Sequence, residues 1–228
     1  MILVLSTGLH APTKDRCLAS VNAAMAAYDW ERHHIVDHVY IEASKDDPPK
    51  GASQNVVETL GRMTMKSTDV VVSLDGDDWL AHDQVLNDVA ARFEDPNVWL
   101  SWGSFRYTDG REGFASDIPA EEWSDLRRAP WRLTHLKCYR FGLFAHLGDA
   151  ELRRADGLYR TRAWDQAMML PMAEMAGPEH SRFVKDVSYV YNYASSYEFT
   201  QEAAGLAAEQ AEAAEIRRLP PRQRLAAL

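Results

Sequence analysis

A short apolar run at residues 69–74 ends in the acidic turn Asp75-Gly76-Asp77-Asp78, and this junction restricts the fold more than any other part of the chain. A strand that is apolar on both faces is typical of the centre of a parallel sheet covered by helices on either side. Strand and helix patterns alternate before it, with strands at residues 2–6 and 35–43 and helices at residues 15–28 and 54–65. This alternation predicts an α/β fold with a mostly parallel central sheet flanked by helices.

The same two patterns continue after the acidic turn as far as residue 193. We predict helices at residues 82–93, 132–147 and 163–176, strands at residues 98–102 and 187–193, and an irregular segment at residues 106–130. Residues 1–200 are therefore interpreted as one domain. Residues 201–228 are rich in Ala, Glu and Leu with a basic end, and this composition predicts a solvated helical tail suited to an interaction role.

Composition excludes several classes of protein. The 228 residues carry a formal net charge of −9, whereas broad nonspecific binding of nucleic acid needs an excess of Lys and Arg. No window approaches the roughly 20 apolar residues that cross a bilayer, and the first residues lack the features of a secretion signal. We therefore expect no transmembrane segment and a cytoplasmic location. Cys17 and Cys138 have no paired spacing and are expected to be buried thiols.

The acidic turn is the strongest candidate for chemistry. Its carboxylates, Asp75, Asp77 and Asp78, follow the carboxyl end of a strand, the edge at which open α/β sheets bind ligands. They repel one another, and Mg²⁺ or Mn²⁺ completed by phosphate oxygens would relieve that repulsion. Gly76 allows the backbone to turn and to approach a ligand. The alternative is an acidic loop that caps the next helix through Asp77 or Asp78.

Other metal and phosphate motifs fit the sequence poorly. A calcium-binding EF-hand loop that began at Asp75 would need an oxygen ligand, Gly and Glu where this chain has Trp79, Leu80 and Leu86. The phosphate-binding pattern G-x-x-x-x-G-K-[ST] does not occur in the sequence.

The segment around the turn resembles the metal-binding segment of family 2 glycosyltransferases. The likeness rests on Val-Val-Val-Ser-Leu-Asp-Gly-Asp-Asp-Trp-Leu at residues 70–80 and Phe-Glu-Asp-Pro-Asn-Val at residues 93–98. Further segments resemble the family in the same order, at residues 2–6, 16–21, 163–169 and 187–192. The resemblance covers most of residues 1–193, and only Asp-Gly-Asp-Asp is specific by itself.

The resemblance implies a GT-A fold and an inverting transferase with a nucleotide-sugar donor, a UDP-sugar being the first expectation, and with Mn²⁺ or Mg²⁺. It makes Asp77 the first choice of metal ligand, and it places Asp75 and Asp78 near the metal, the diphosphate or the ribose. The donor-binding residues expected at the strand ends are Ser6, Thr7, Gly8, Asp75 and Gly76, joined by Glu42 after the second strand and by Arg62 on the preceding helix.

The resemblance also implies that Asp165 is the general base that removes the proton of the acceptor hydroxyl. The family usually has a Glu-Asp pair there, and this chain has Trp164 and Asp165. Glu174 is the reserve candidate for the base. The alternative for Asp165 is to act as the N-cap of the following helix.

Cations and aromatic rings further along the chain are candidates for contact with the diphosphate or the acceptor. A departing diphosphate needs positive charge, which His135 or Arg140 could supply. Trp79 and Trp131 could stack on sugar rings. Residues 127–162 contain nine Lys or Arg against three acids, an excess that suggests an anionic ligand. The alternative is an amphipathic helix whose cations are solvated.

The leading hypothesis is thus a glycosyltransferase that acts on a saccharide or a lipid-linked saccharide. DNA with hydroxymethylated bases is a less favoured acceptor, since a duplex base must first be unstacked. A sugar-phosphate nucleotidyltransferase would need a Gly-rich, basic loop after the first strand, where this chain has Thr-Gly-Leu-His-Ala-Pro. A noncatalytic module that binds a nucleotide sugar or a metal is the third alternative.

Overall fold

The computed structural model describes residues 1–8, 14–33, 36–42, 51–193 and 203–228. The strands are β1 (Ile2–Gly8), β2 (Val36–Glu42), β3 (Val70–Asp75), β4 (Trp79–Leu80), β5 (Leu100–Tyr107), β6 (Lys137–Arg140) and β7 (Ser181–Tyr191). The α-helices are α1 (Lys14–Ala26), α2 (Ala52–Arg62), α3 (Val85–Phe93), α4 (Phe141–Ala145), α5 (Asp149–Leu152), α6 (Trp164–Ala176) and α7 (Ala203–Arg218). A short 3-10 helix lies at Ala120–Ser124 within the segment expected to be irregular.

The strands form one seven-stranded sheet in the order β2-β1-β3-β6-β5-β7-β4. β1 pairs in parallel with both β2 and β3, and β5 pairs in parallel with β7. β6 lies antiparallel between β3 and β5, and β4 is antiparallel to β7. Five strands therefore point the same way and two oppose them, which confirms the predicted α/β fold with a mostly parallel sheet.

Both faces of the sheet are covered by helices, as the apolar strands require. On one face Leu3 and Leu5 of β1 pack in a cluster that includes α2 and α6. On the other face Ile2 and Val4 pack in a cluster that includes α1 and α3. Because consecutive side chains of a strand point to opposite faces, a strand in this position buries every residue. The packing thus explains why the strand patterns read as continuous apolar runs.

The predicted helix at residues 132–147 is wrong, because its centre is the buried strand β6 followed by the short helix α4. Lys137 and Arg140 suggested a solvated helix face, yet both are buried within the sheet. Arg140 donates to the backbone carbonyls of Val98, Thr68, Phe93 and Asp95. Its guanidinium therefore satisfies carbonyl groups at the end of α3 and in the segments before β3 and β5.

The C-terminal segment contains the expected helix, but the prediction that this helix is solvated is wrong for one of its faces. Glu212 and Ile216 of α7 are buried. The Glu212 carboxylate accepts the backbone N–H of Arg162 at 3.0 Å, and Arg217 donates to the Gln166 side chain at 3.1 Å. α7 is therefore tied to the start of α6. Among the helices of the described ranges, none has the length and apolar character that crossing a membrane requires.

Candidate active site

The acidic turn lies at the carboxyl ends of β1, β2 and β3. Asp75 is the last residue of β3 and is paired in register with Thr7 of β1. The Gly76 N–H donates to the Thr7 carbonyl at 2.6 Å, and the Tyr40 hydroxyl donates to the Gly76 carbonyl at 3.4 Å. A Cβ on Gly76 would lie 2.9 Å from the Cα of Gly8, so this close approach requires glycine.

The residues predicted to bind the donor at the strand ends are brought together. Ser6 is fully buried, and its hydroxyl lies 3.0 Å from Nε2 of His38. Thr7 and Gly8 complete the end of β1 beside the acidic turn. Gly8 is paired with Glu42, which places the Glu42 backbone at the same edge, although its side chain lies outside the described residues.

Asp75 is the point at which side chains from three strands meet. Its Oδ2 lies 3.3 Å from the Tyr189 hydroxyl, 3.7 Å from Nδ1 of His135 and 3.8 Å from Nζ of Lys137. The Tyr189 hydroxyl also accepts the backbone N–H of Asp75 at 3.3 Å. The Asp75 carboxylate therefore lies among polar groups of β7, of β6 and of His135, which precedes β6.

Asp78 has a different environment, which does not support the prediction that it binds metal. It is 2% exposed, it accepts a short hydrogen bond from the Tyr189 hydroxyl, and its Oδ1 accepts the Asn192 backbone N–H at 2.6 Å. Burial and then the charges of Asp77 and Asp75 raise its pKa well above the usual range. Asp78 therefore anchors β7 to the acidic turn.

Asp77 and Asp75 remain as the candidate metal ligands, and both are partly exposed. No group of three or more His, Cys, Asp or Glu side chains in the described part of the chain is arranged to hold a metal by itself. Mg²⁺ is usually held by one or two carboxylates, with substrate phosphates and water completing its shell. Two carboxylates on an open turn at the sheet edge fit that ligand set.

Asp165 lies in the first turn of α6, one residue after Trp164. The N-cap of α6 is Ala163, in the left-handed conformation with φ 47°, so the N-cap role considered for Asp165 is wrong. Burial raises the pKa of Asp165, the Lys137 charge opposes this rise, and the Asp75 charge adds to it. Trp164, the residue before Asp165, has its ring 4.8 Å from Nζ of Lys137, which places the start of α6 beside the same lysine that faces Asp75.

Lys137 was not among the predicted site residues, although the sequence carries a signal for it. It is the first residue of β6 and is 2% exposed, and Nζ lies 4.8 Å from the centre of the Trp164 ring. The signal is a lysine inside the apolar stretch Leu-Thr-His-Leu-Lys-Cys-Tyr at residues 133–139. A lysine is almost never fully buried unless it is paired.

His135 lies beside the acidic turn, and its contact with the diphosphate or the acceptor stays a prediction. Its ring stacks on Tyr189, with 4.4 Å between the ring centres, and meets Phe105 edge-on at 5.4 Å. Burial, and then the Lys137 charge, lower the pKa of His135 well below 6.5, so the imidazole is neutral near pH 7. His135 can thus donate or accept one hydrogen bond without adding charge to the site.

Several other predicted residues are not at the site. Arg140 pairs with Val70, at the start of β3 and away from Asp75. Arg62 is exposed at the end of α2 and lies 3.4 Å from Glu58. Glu174 is buried in a two-pronged ion pair with Arg127, at 2.6 and 2.7 Å, and cannot serve as the reserve base.

The two tryptophans predicted to stack on sugar rings are mostly covered. Trp79 is 7% exposed, and the Arg16 guanidinium lies 3.6 Å from the centre of its ring. Trp131 is partly buried and packs against the core cluster that includes α6. Trp79 therefore offers no open face at the acidic turn, and the stacking role of Trp131 stays a prediction.

Most of the basic side chains of residues 127–162 are paired with carboxylates of the protein itself. Their excess therefore no longer supports the prediction of an anionic ligand. Ion pairs join Arg127 to Glu174, Arg132 to Glu122, Arg153 to Asp149, Arg154 to Asp156 and Arg160 to Glu215. The carboxylates of α7 thus supply part of the balancing charge. DNA as acceptor, which would need a basic surface of this kind, loses the same support.

Comparison with known proteins identifies the fold. S. aureus TarS matches with a TM-score of 0.57 and 15% identity over 88% of this chain, which spans only 38% of the TarS chain. Mannosyl-3-phosphoglycerate synthase from Rubrobacter xylanophilus matches with a TM-score of 0.55 and 14% identity, covering 90% of this chain and 72% of that chain. Glucosyl-3-phosphoglycerate synthase from Mycobacterium tuberculosis, in complex with Mg²⁺ and uridine diphosphate, matches with a TM-score of 0.55 and 13% identity, covering 92% and 79%.

The chain therefore has a GT-A-like glycosyltransferase fold, as the resemblance implied. No protein-family model and no curated protein sequence matches it. Assignment to family 2 stays a prediction.

Proposed function

We propose that this protein is a glycosyltransferase that moves a sugar from a nucleotide-sugar donor to an acceptor hydroxyl, with inversion at the anomeric carbon. The observation that carries the proposal is the cluster at the carboxyl edge of a GT-A-like sheet, where Nζ of Lys137 lies 3.8 Å from Asp75 and 4.8 Å from the centre of the ring of Trp164, the residue before Asp165. This edge is where open α/β sheets bind ligands.

The donor is proposed to be a UDP-sugar that binds along Ser6, Thr7 and Gly8, with its diphosphate at the acidic turn. The contact between Gly8 and Gly76 leaves no room for side chains, so the backbone itself can approach the ligand. The presence of uridine diphosphate and Mg²⁺ in one protein of the same fold supports this choice of donor.

We propose Asp77 as the first metal ligand and Asp75 as the second, with Mg²⁺ or Mn²⁺ as the ion. When bound, the ion would neutralise charge on the diphosphate. Asp78 remains an anchor for β7 in this assignment, because its two oxygens already accept hydrogen bonds from Tyr189 and Asn192.

Asp165 is proposed as the general base. Its raised pKa suits the role, because a carboxylate becomes a stronger proton acceptor as its pKa approaches the working pH. The acceptor is proposed to be a hydroxyl of a saccharide or of a lipid-linked saccharide. Residues 1–200 would form the catalytic domain and residues 201–228 its C-terminal helical segment.

Thermal-shift and donor-hydrolysis screens of UDP-, GDP- and dTDP-sugars with Mn²⁺ or Mg²⁺ test the proposal. We expect one donor to raise the melting temperature of the wild type, and only when metal is present. Asp77→Ala should lose this effect, whereas Asp83→Ala, an exposed carboxylate on the segment before α3, should keep it. A wild type that responds to no nucleotide sugar would contradict the proposal.

A further inference from the structure

Two buried nitrogen atoms point at the same carboxylate without reaching it. Nζ of Lys137 lies 3.8 Å and Nδ1 of His135 lies 3.7 Å from Oδ2 of Asp75. Both distances exceed those of ordinary hydrogen bonds. Nδ1 of His135 has no hydrogen-bond partner within the described residues, and Nζ of Lys137 meets Asp75 only at 3.8 Å.

A closed ion pair elsewhere in the protein shows what this arrangement lacks. Arg127 and Glu174 are also buried, and they meet through two hydrogen bonds of 2.6 and 2.7 Å. If Lys137 served only to balance Asp75, a similarly short contact would be expected, because a buried charge without hydrogen bonds is costly. The open geometry at Lys137 indicates a place for an additional oxygen atom.

The position of Lys137 restricts what that oxygen belongs to. Its ammonium lies 3.8 Å from Oδ2 of Asp75 and 4.8 Å from the centre of the Trp164 ring. A lysine ammonium can donate three hydrogen bonds, and neither the 3.8 Å contact with Asp75 nor the contact with the Trp164 ring satisfies this capacity, so an oxygen that gains negative charge would find a donor here. A phosphate oxygen satisfies this condition and accepts charge-assisted hydrogen bonds.

We propose that Lys137 is a catalytic residue that donates a hydrogen bond to the terminal phosphate of the nucleoside diphosphate as it leaves. This assignment rests on the proposed function. The bond between the sugar C1 and the phosphate oxygen breaks, and its electron pair stays on that oxygen. The acceptor oxygen forms the new bond to C1, and its proton passes to Asp165. Lys137 keeps its proton throughout and stabilises the oxygen that gains charge.

Calorimetric titration of nucleotides separates this role from a structural one. The probes are UDP, GDP, ADP and dTDP and the matching monophosphates, in buffer with Mn²⁺. For the diphosphate that binds the wild type, Lys137→Met should lose affinity by about tenfold or more, which corresponds to about 1.4 kcal/mol. Its affinity for the monophosphate, which lacks the terminal phosphate, should change by less than about threefold.

Three further variants complete the experiment. Lys137→Arg keeps the charge and should recover part of the preference for diphosphate. Lys185→Met removes an exposed lysine from β7 and should leave both affinities unchanged. Lys137→Gln keeps a polar side chain and takes the place of Lys137→Met if circular dichroism shows that the latter is unfolded.

The outcomes distinguish the two proposals. If no nucleoside diphosphate binds the wild type, the proposed function and the role of Lys137 fail together. If a diphosphate binds the wild type and the Lys137 variants lose equal affinity for diphosphate and monophosphate, or lose none, only the role of Lys137 is overturned. Once a donor is known, Lys137→Met should lower kcat by about 100-fold with the KM for the acceptor little changed.

Discussion

Oδ1 of Asp78 accepts the backbone N–H of Asn192 at 2.6 Å, and this bond joins the acidic turn to the residue that follows β7. The Tyr189 hydroxyl adds a second bond from β7 to the same carboxylate. Asp78 thus fixes the acidic turn to β7. Asp75 and Asp77 remain as the partly exposed carboxylates of the turn.

Tyr189→Phe should destabilise the protein by about 1–3 kcal/mol, because it removes a hydroxyl that donates to the buried Asp78 carboxylate. Tyr139→Phe is the matched control. The Tyr139 hydroxyl is buried and has no hydrogen-bond partner among the described residues, so its removal should be neutral or stabilising. Urea unfolding of both variants measures the difference. Equal effects would show that Tyr189 contributes through its ring alone.

Gly76→Ala should weaken donor binding, because the added Cβ would lie 2.9 Å from the Cα and the N of Gly8 and would push the turn away from β1. Gly61→Ala, inside α2, meets no atom within 4 Å and should stabilise the helix by up to about 1 kcal/mol. Donor affinity and melting temperature are measured for both variants. Unchanged affinity in Gly76→Ala would mean that the turn moves without consequence for the donor.

Asp165→Asn should lower kcat by about 10²–10⁴-fold while donor binding persists, because only the proton acceptor is removed. A base must be ionised, and burial raises the pKa of Asp165 above 3.8. Activity should therefore be full above this raised pKa and should fall as the pH drops through it. The pH profile of kcat/KM measures this acidic limb, the range over which activity falls with falling pH. A limb that begins no higher than pH 3.8 would argue against Asp165 as the base.

Arg127→Met should destabilise the protein by about 3–5 kcal/mol, since it leaves the buried Glu174 carboxylate without its main partner. The double variant Arg127→Met with Glu174→Met should recover much of this loss, because no isolated charge remains. Urea unfolding of the two single variants and the double variant gives the coupling energy. Additive losses would mean that the two side chains act independently.

The sequence was sufficient for the parts of the fold that depend on local patterns. The apolar runs of β1 and β3 and the acidic turn between β3 and β4 were predictable because a strand buried on both faces has a recognisable composition. The role of Asp165 stays a prediction that rests on the residues that resemble the family.

The residues that were misplaced are those whose partners are distant in the chain. Arg140 bonds to carbonyls at separations of up to 72 residues, and Asp78 bonds to residues 111 and 114 positions away. β6 was mistaken for a helix because its two cations resemble a solvated face until these partners are known. Lys137 could have been identified as a site residue from the sequence, because a lysine inside an apolar run is expected to be buried and therefore to be paired.

The attachment of α7 has a practical consequence for anyone who shortens this chain. Arg127 donates to the Ile216 carbonyl at 2.6 Å, and Glu212 holds the backbone just before α6, the helix that begins with Trp164 and Asp165. A truncation at residue 200 would remove the Ile216 carbonyl that accepts from Arg127 and the Glu215 carboxylate that pairs with Arg160, and it would uncover the segment that leads into the proposed base. The C-terminal helix is therefore part of the packing that positions Trp164 and Asp165, and expression trials should retain it.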